Sequence, residues 1–303
     1  MNSKSVKAVI GFIILIASST FSSLCWPDTV YRYKDANGRW QFSDKKPKTK
    51  HEQLALKKAR AGREMPRMYR LEYKDGFKRL VANNPWFSPV TFYLLQKGEI
   101  VTSVVVEPKF TGPVFDLEDE PTLDFKVFDY QYLPGKVITQ LPSMSFPPPI
   151  PRKGKYQVTQ SFHGKFSHFM DGNRYSVDIA MDLDDHIHAV REGTVVWVKD
   201  DYHMGGAKAY FVDKANQIRI LHDDGTFAVY AHILMGSALV KEGDKVAVGQ
   251  AIANAGTSGY STGPHLHFVL RYNSGNEMLS IPFSFKHAGG EHAPKPGEWL
   301  TFR

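Results

Sequence analysis

Cysteine is almost missing from this sequence: Cys25 is the only one among 303 residues. A single thiol closes no intramolecular disulfide and leaves no thiolate cage, so any zinc centre has to be built from histidine and carboxylate. Nucleotide signatures are missing as well, with neither a P-loop nor a G-x-G-x-x-G in a strand-to-helix context. No H-E-x-x-H occurs, which excludes a helix-borne zinc pair with its glutamate base. Long apolar runs are scarce. The run from about Ala8 to Ala17 falls short of the roughly 20 residues that cross a bilayer comfortably.

What remains is an ordinary globular composition, 42% hydrophobic and 23% charged, in a chain long enough for two domains. The first 25 residues carry Lys4 and Lys7, then the short apolar run, then small polar residues, the layout of a secretory signal peptide; the alternative is a short membrane anchor. Leu24 before Cys25 does not suit a lipoprotein cleavage box. The formal charge is +7, of which Lys4 and Lys7 supply two. A basic exported chain is predisposed toward anionic surfaces such as cell-wall polymers or lipid headgroups. Nucleic acid is the weaker reading, because the basic residues are scattered and the compartment is wrong. The expected location is the periplasm or cell envelope, with membrane contact only through an uncleaved signal segment.

Residues 28–47 alternate aromatic and polar positions on both sides of "DANG" and predict a small β-hairpin. They also resemble a short N-terminal domain of unknown function found in Gram-negative envelope proteins. Residues 48–64 are basic and rich in helix formers without a full apolar face, which predicts a linker or exposed helix. From 65 to 142, short β runs such as "VTFYLL" and "VTSVVVE", broken by Pro, Gly and Asn, predict a sandwich-like accessory domain. The proline cluster in 143–152 predicts a stiff linker. Residues 153–285 again read as strands between Gly and Asp turns, and 286–303 lack periodicity and read as a peripheral tail. The expected fold is mainly β: a small N-terminal hairpin and a sandwich-like domain, followed by an all-β C-terminal domain.

Chemistry concentrates in that last domain. "STGPHLHFVL" puts His265 and His267 two residues apart, on one face of a strand and roughly 7 Å apart along the chain. Such a pair can share a small site or be two half-exposed strand histidines. "GTSGYSTGPHLHFVL", together with the upstream "YAHI", "REGTVVWV" and "VKEGDKVAVGQAIANAG", resembles the lysostaphin/LytM-type zinc metallopeptidases over residues 153–285. The resemblance implies an all-β metallopeptidase domain with one zinc per chain, His267 and Asp178 as ligands, and His232 and His265 as non-ligand catalytic histidines. The first ligand departs from the common H-x-x-x-D pattern, because position 174 is Arg. "FSHFMDGNRYSVDIAM" is similar to a subset of the family in which a Ser/Thr-His precedes a longer loop, which makes His168 the ligand and His163 its rival.

The family cleaves peptide cross-links of peptidoglycan. The resemblance and the expected compartment together imply an exported zinc endopeptidase acting on D-alanyl-diaminopimelate bonds, with pentaglycine bridges as the Gram-positive counterpart. Two other readings stay open: a non-catalytic peptidoglycan-binding module that activates other wall hydrolases, and a peptidase of proteins or secreted peptides. Of the other histidines, His186 and His188 read as structural or surface groups, and His203 and His222 as solvated turn residues. Asp182, Asp184 and Asp185 read as a polar loop.

Overall fold

The computed structural model describes residues 29–34, 40–43, 46–55, 68–74, 77–116 and 128–302. The signal segment, Cys25 and the "DANG" turn lie outside the described residues. The backbone divides into two units, Met1–Leu56 and Lys57–Arg303.

In the first unit, β1 (Thr29–Lys34) pairs antiparallel with β2 (Trp40–Ser43), Lys34 facing Trp40, as the alternating pattern around the turn predicts. Its other edge takes up β3 (His51–Ala55). Residues 48–64, where composition predicts a linker or helix, thus contribute a strand. Five residues without a full apolar face cannot hold an isolated helix, but an open strand edge offers them a row of hydrogen-bonding partners.

The second unit begins with β4 (Tyr69–Lys74), β5 (Phe77–Asn83), β6 (Val90–Gln96), β7 (Glu99–Val106), β8 (Thr111–Asp116) and β9 (Phe128–Pro134). They form two three-stranded sheets, β4-β5-β8 and β7-β6-β9. Met68 and Ala82, at the first sheet, bury against Val90, Phe92 and Val106 of the second, with Tyr130 and Tyr132 packed on the cluster. Two sheets closing on one apolar layer make the expected sandwich.

The chain continues through β10 (Ser145–Phe146), β11 (Tyr156–Gln160), β12 (Val177–Ala180), β13 (His186–His188), β14 (Gly193–Lys199), β15 (Gln217–Leu221), β16 (Phe227–Ala231), β17 (Lys245–Val246) and β18 (Ala251–Asn254). It ends with β19 (His265–Asn273), β20 (Met278–Ser280), β21 (Ser284–His287), β22 (Gly290–His292) and β23 (Trp299–Leu300). Nine of these form one sheet in the order β17-β14-β15-β16-β19-β12-β11-β23, with β20 on β19. Side chains alternate along β19, so Leu266, Phe268 and Leu270 are fully buried in the core with Ile179, Ile218, Ile220 and Tyr230, and His265 and His267 take the opposite face. The far end of β19 is gripped by the sandwich segment: Tyr93 Oη donates to Asn273 Oδ1 at 3.2 Å, Asn273 Nδ2 to Gly135 O at 3.1 Å, and Ile138 N–H to Asn273 O at 2.9 Å.

Residues 286–303, which lack periodicity and predict a peripheral tail, are part of this fold. β21 and β22 pair with each other, β23 pairs with β11, and Leu300 is buried in the main core. Strands of two to four residues between glycines and prolines are too short to show a period, so anchoring rests on single apolar side chains. Among the described residues there is no α-helix and no helix long and apolar enough to cross a membrane.

Candidate active site

The pairing of β12 with β19 sets Asp178 directly opposite His267, and β16 sets Ala231 on the other flank of His267. Cross-strand neighbours stand about 5 Å apart at Cβ, so a carboxylate and an imidazole here meet without any loop movement. His267 Nδ1 lies 2.8 Å from Asp178 Oδ1. His168 arrives by a turn: its N–H donates to Gly164 O, its Nδ1–H donates to Ser161 O at 2.9 Å, and its Nε2 then faces Asp178 Oδ1 at 3.2 Å. All three side chains are buried, and their ligand atoms lie within 4.8 Å of one another. Arg174 is exposed and pairs with Asp171. His163 is exposed, with its ring edge-on to Tyr175 at 5.1 Å, outside the cluster.

Burial alone would raise the Asp178 pKa, but hydrogen bonds from His168 and His267 and their charges outweigh it and hold the carboxyl well below its usual range. Burial pushes His267 down, opposed by Asp178. Gln160 grips the other carboxylate oxygen: its Nε2 lies 2.9 Å from Asp178 Oδ2 and 2.8 Å from Ser167 Oγ. The donor set fits zinc, with one carboxylate between two imidazoles in a buried pocket. The outer nitrogen of His168 and the outer oxygen of Asp178 are each committed to an orienting partner, as metal-ligating groups require.

His232 follows β16 with φ +63°, a left-handed conformation rare for a side chain of this size. That turn brings Nδ1 to 2.6 Å from Ser258 O, where it donates, and leaves Nε2 as the free ring nitrogen. Burial, then the charges of His265 and His267, push its pKa down to about 3. The His265 ring lies 4.5 Å from that of His232. Its Nδ1 is 2.8 Å from Gly263 O and 3.3 Å from Ser261 Oγ, and its Nε2 stands 4.0 Å from Asp178 Oδ1. Gly259 makes the surrounding turn possible: φ is +81°, and a Cβ there would meet Ala215 Cα at 2.6 Å.

His232, His265, His267 and Asp178 line a groove of about 940 Å³. Phe166 stacks on Tyr260 along its wall, ring centroids 5.3 Å apart, and Arg219 and Arg271 line it further along. Neither arginine has a carboxylate partner among the described residues. Burial and the neighbouring Arg219 bring Arg271 down to about 10.

Outside the groove, His186 is exposed and bonds Asn254 Oδ1 at 2.9 Å, His188 is half-buried beside it in β13, and His203 is exposed. Asp184 and Asp185 hold Asn254 and the Asp182 N–H, so the three aspartates form a polar loop. His222 is a correction to the sequence reading. It is buried rather than solvated, with Nδ1–H donating to Glu192 O at 2.7 Å, because Gly193 lets the neighbouring strand close over it. Gln160, Arg219 and Arg271 were not singled out from sequence. A bulge in β11 moves Gln160 opposite Asp178, and no residue pattern marks that bulge.

An all-β sheet with a buried two-histidine, one-aspartate cluster and two further histidines on a groove floor defines a metallopeptidase-type domain. Residues 172–278 match the profile of Peptidase family M23, so the chain carries a domain of that family there. The matched span holds Asp178, His232, His265 and His267, while His168 and Gln160 precede it. The glycyl-glycine endopeptidase ALE-1 of Staphylococcus capitis is 32% identical over 120 residues, 39% of this chain and 30% of its own length. The peptidoglycan DD-endopeptidase ShyB of Vibrio cholerae is 31% identical over 121 residues, 39% of this chain and 26% of its own. This chain therefore spans less than a third of either curated relative. The solved catalytic domain of lysostaphin from Staphylococcus simulans is 31% identical across 40% of this chain and 81% of its own, with a TM-score of 0.29.

Proposed function

We propose that this protein is an exported zinc-dependent endopeptidase that hydrolyses peptide cross-links of peptidoglycan in the periplasm or envelope, at D-alanyl-diaminopimelate bonds. The carrying observation is the convergence of His168, Asp178 and His267 at one buried point, with the free Nε2 atoms of His232 and His265 beside it. In this reading His168, Asp178 and His267 hold one zinc ion per chain. When bound, zinc supplies Lewis-acid polarisation of the scissile carbonyl and lowers the pKa of water.

The remaining chemistry belongs to the chain's own groups. His232 is held neutral by burial, and its Nδ1 proton is committed to Ser258 O, so Nε2 is the base that orients and deprotonates the attacking water. His265, with Nδ1–H held by Gly263 O, keeps its Nε2 toward the cluster. The proton that His232 Nε2 takes from the water passes to the leaving amine as the C–N bond breaks, with the His265 ring beside it at 4.5 Å, so both histidines end as they began. A complete, buried donor set favours this over a non-catalytic binding module.

The substrate reading draws on the two arginines of the groove. A cross-link through diaminopimelate carries free carboxylates that a desolvated guanidinium pair attracts, whereas a pentaglycine bridge carries none. The test is to incubate the protein with purified cross-linked sacculi of both bridge types and with casein-like chains. Muropeptide dimers converted to monomers in the diaminopimelate wall alone is the expected outcome. Cleavage confined to pentaglycine or to casein overturns the substrate assignment, and metal binding without any cleavage overturns the enzyme reading.

A further inference from the structure

A second group of two imidazoles and one carboxylate stands in the C-terminal segment, and none of its members lines the groove. His287 ends β21, His292 ends β22, and Glu298 directly precedes β23. The Nε2 of His287 is 3.1 Å and the Nε2 of His292 is 2.5 Å from the same oxygen, Glu298 Oε1. Ligand atoms sharing a tetrahedral zinc ion at 2.0–2.2 Å stand about 3.3 Å apart. In the groove the corresponding spacings to Asp178 Oδ1 are 3.2 and 2.8 Å, so the two clusters have the same donors at similar separations.

The His287 ring is 3% exposed, yet its Nε2 makes no hydrogen bond. Glu298 Oε1 lies within reach but off the axis of the ring nitrogen. A buried polar atom without a hydrogen bond, within 4.8 Å of two other ligand atoms, calls for an explanation that an ion shared by the three would supply. The other Glu298 oxygen accepts from the Lys295 N–H at 2.9 Å, which orients the carboxylate and leaves Oε1 to the two imidazoles, His292 Nε2 being hydrogen-bonded to it. His292 is one-third exposed and gives an ion access from solvent. Gly289 is required by the same arrangement, because a Cβ there would stand 2.7 Å from His287 Cε1. A ligating His287 carries its proton on Nδ1, so loading gives up the long contact of 3.3 Å from the Gly289 N–H.

We propose that His287, His292 and Glu298 bind a second divalent ion of zinc type that clips the C-terminal hairpin to the loop before β23. That loop is tied to β11 by Val158 N–H to Glu298 O and Gly297 N–H to Val158 O, and Ser161 Oγ donates to Pro294 O. Ser161 is also the residue whose carbonyl orients His168, so the clip braces the segment that carries a groove residue.

The experiment is metal content per chain after equilibration of the full-length protein with zinc, measured on wild type, His292→Ala, Glu298→Gln, His267→Ala and the His267→Ala/His292→Ala double variant. The expected stoichiometries are two, one, one, one and none. In the His267→Ala background, zinc should also raise Tm, and that rise should vanish in the double variant. A wild type holding one ion that His292→Ala and Glu298→Gln both retain overturns the second site, as does a count of two that survives both substitutions. A wild type holding one ion that His267→Ala retains and His292→Ala loses counts against the groove assignment instead.

Discussion

Two clusters of the same composition, two histidines and a carboxylate, stand in one domain, and they differ in what surrounds them. Around Asp178 there are two further histidines with free Nε2 atoms, an amide on the second carboxylate oxygen and an open groove with arginines along it. Around Glu298 there is a turn, a backbone N–H and no groove-lining residue. The metal-ligating set alone therefore does not define an active site. Chemistry requires neighbours able to move protons and space for a peptide.

The comparison can be broken most forcefully at the shared donors. His267→Ala should remove the groove ion and lower turnover by about 10³-fold or more, read by metal analysis together with muropeptide release. His232→Ala should keep that ion and still lose about 10²- to 10⁴-fold in kcat, since in the proposed mechanism it removes a proton carrier and not a ligand. Equal metal loss in both variants would erase the distinction between holding and proton transfer. Gln160→Ala should weaken metal affinity about 10- to 100-fold, the usual cost of losing an orienting partner, with activity restored by excess zinc. Arg219→Met should raise KM several-fold on diaminopimelate cross-links and leave kcat nearly unchanged.

The smallest effect comes from a buried histidine that belongs to neither cluster. Burial holds His222 below its ordinary pKa. Below about pH 6.5 the unfolded chain takes up a proton that the folded chain refuses, so this contribution to stability is present above that pH and lost as pH falls through it. The metal-free protein should show Tm declining from neutral pH toward acid, and His222→Gln should flatten the decline. An unchanged slope would mean that other groups carry it.

The groove residues were legible because they sit in dense local patterns. H-x-H on an apolar strand puts two imidazoles on one face, and the glycine run before it marks a turn in which Gly259 has no room for a side chain. His168, displaced from the common spacing, was singled out from its neighbours, and the structure brings its Nε2 to 3.2 Å from Asp178. What stayed hidden depends on register and contacts between distant segments. Gln160 reaches Asp178 through a bulge, His222 is covered because a glycine on another strand admits it, and β3 exists because an edge was available to pair with. His287, His292 and Glu298 are spaced by glycines and prolines that read as an irregular tail, although the chain folds back to pair with β11.

β19 carries His265 and His267 at one end and Asn273 at the other, roughly 26 and 20 Å away along the strand. A peptide backbone in extended form has no slack, so the longitudinal coordinate of one end determines that of the other. Sliding β19 by two residues would leave every side chain on its own face, and would still bring His265 or Val269 opposite Asp178 in place of His267. The three hydrogen bonds at Asn273 forbid that slide. The sandwich, which contributes no groove-lining residue among those described, thereby serves as the zero mark from which the positions of both histidines are measured.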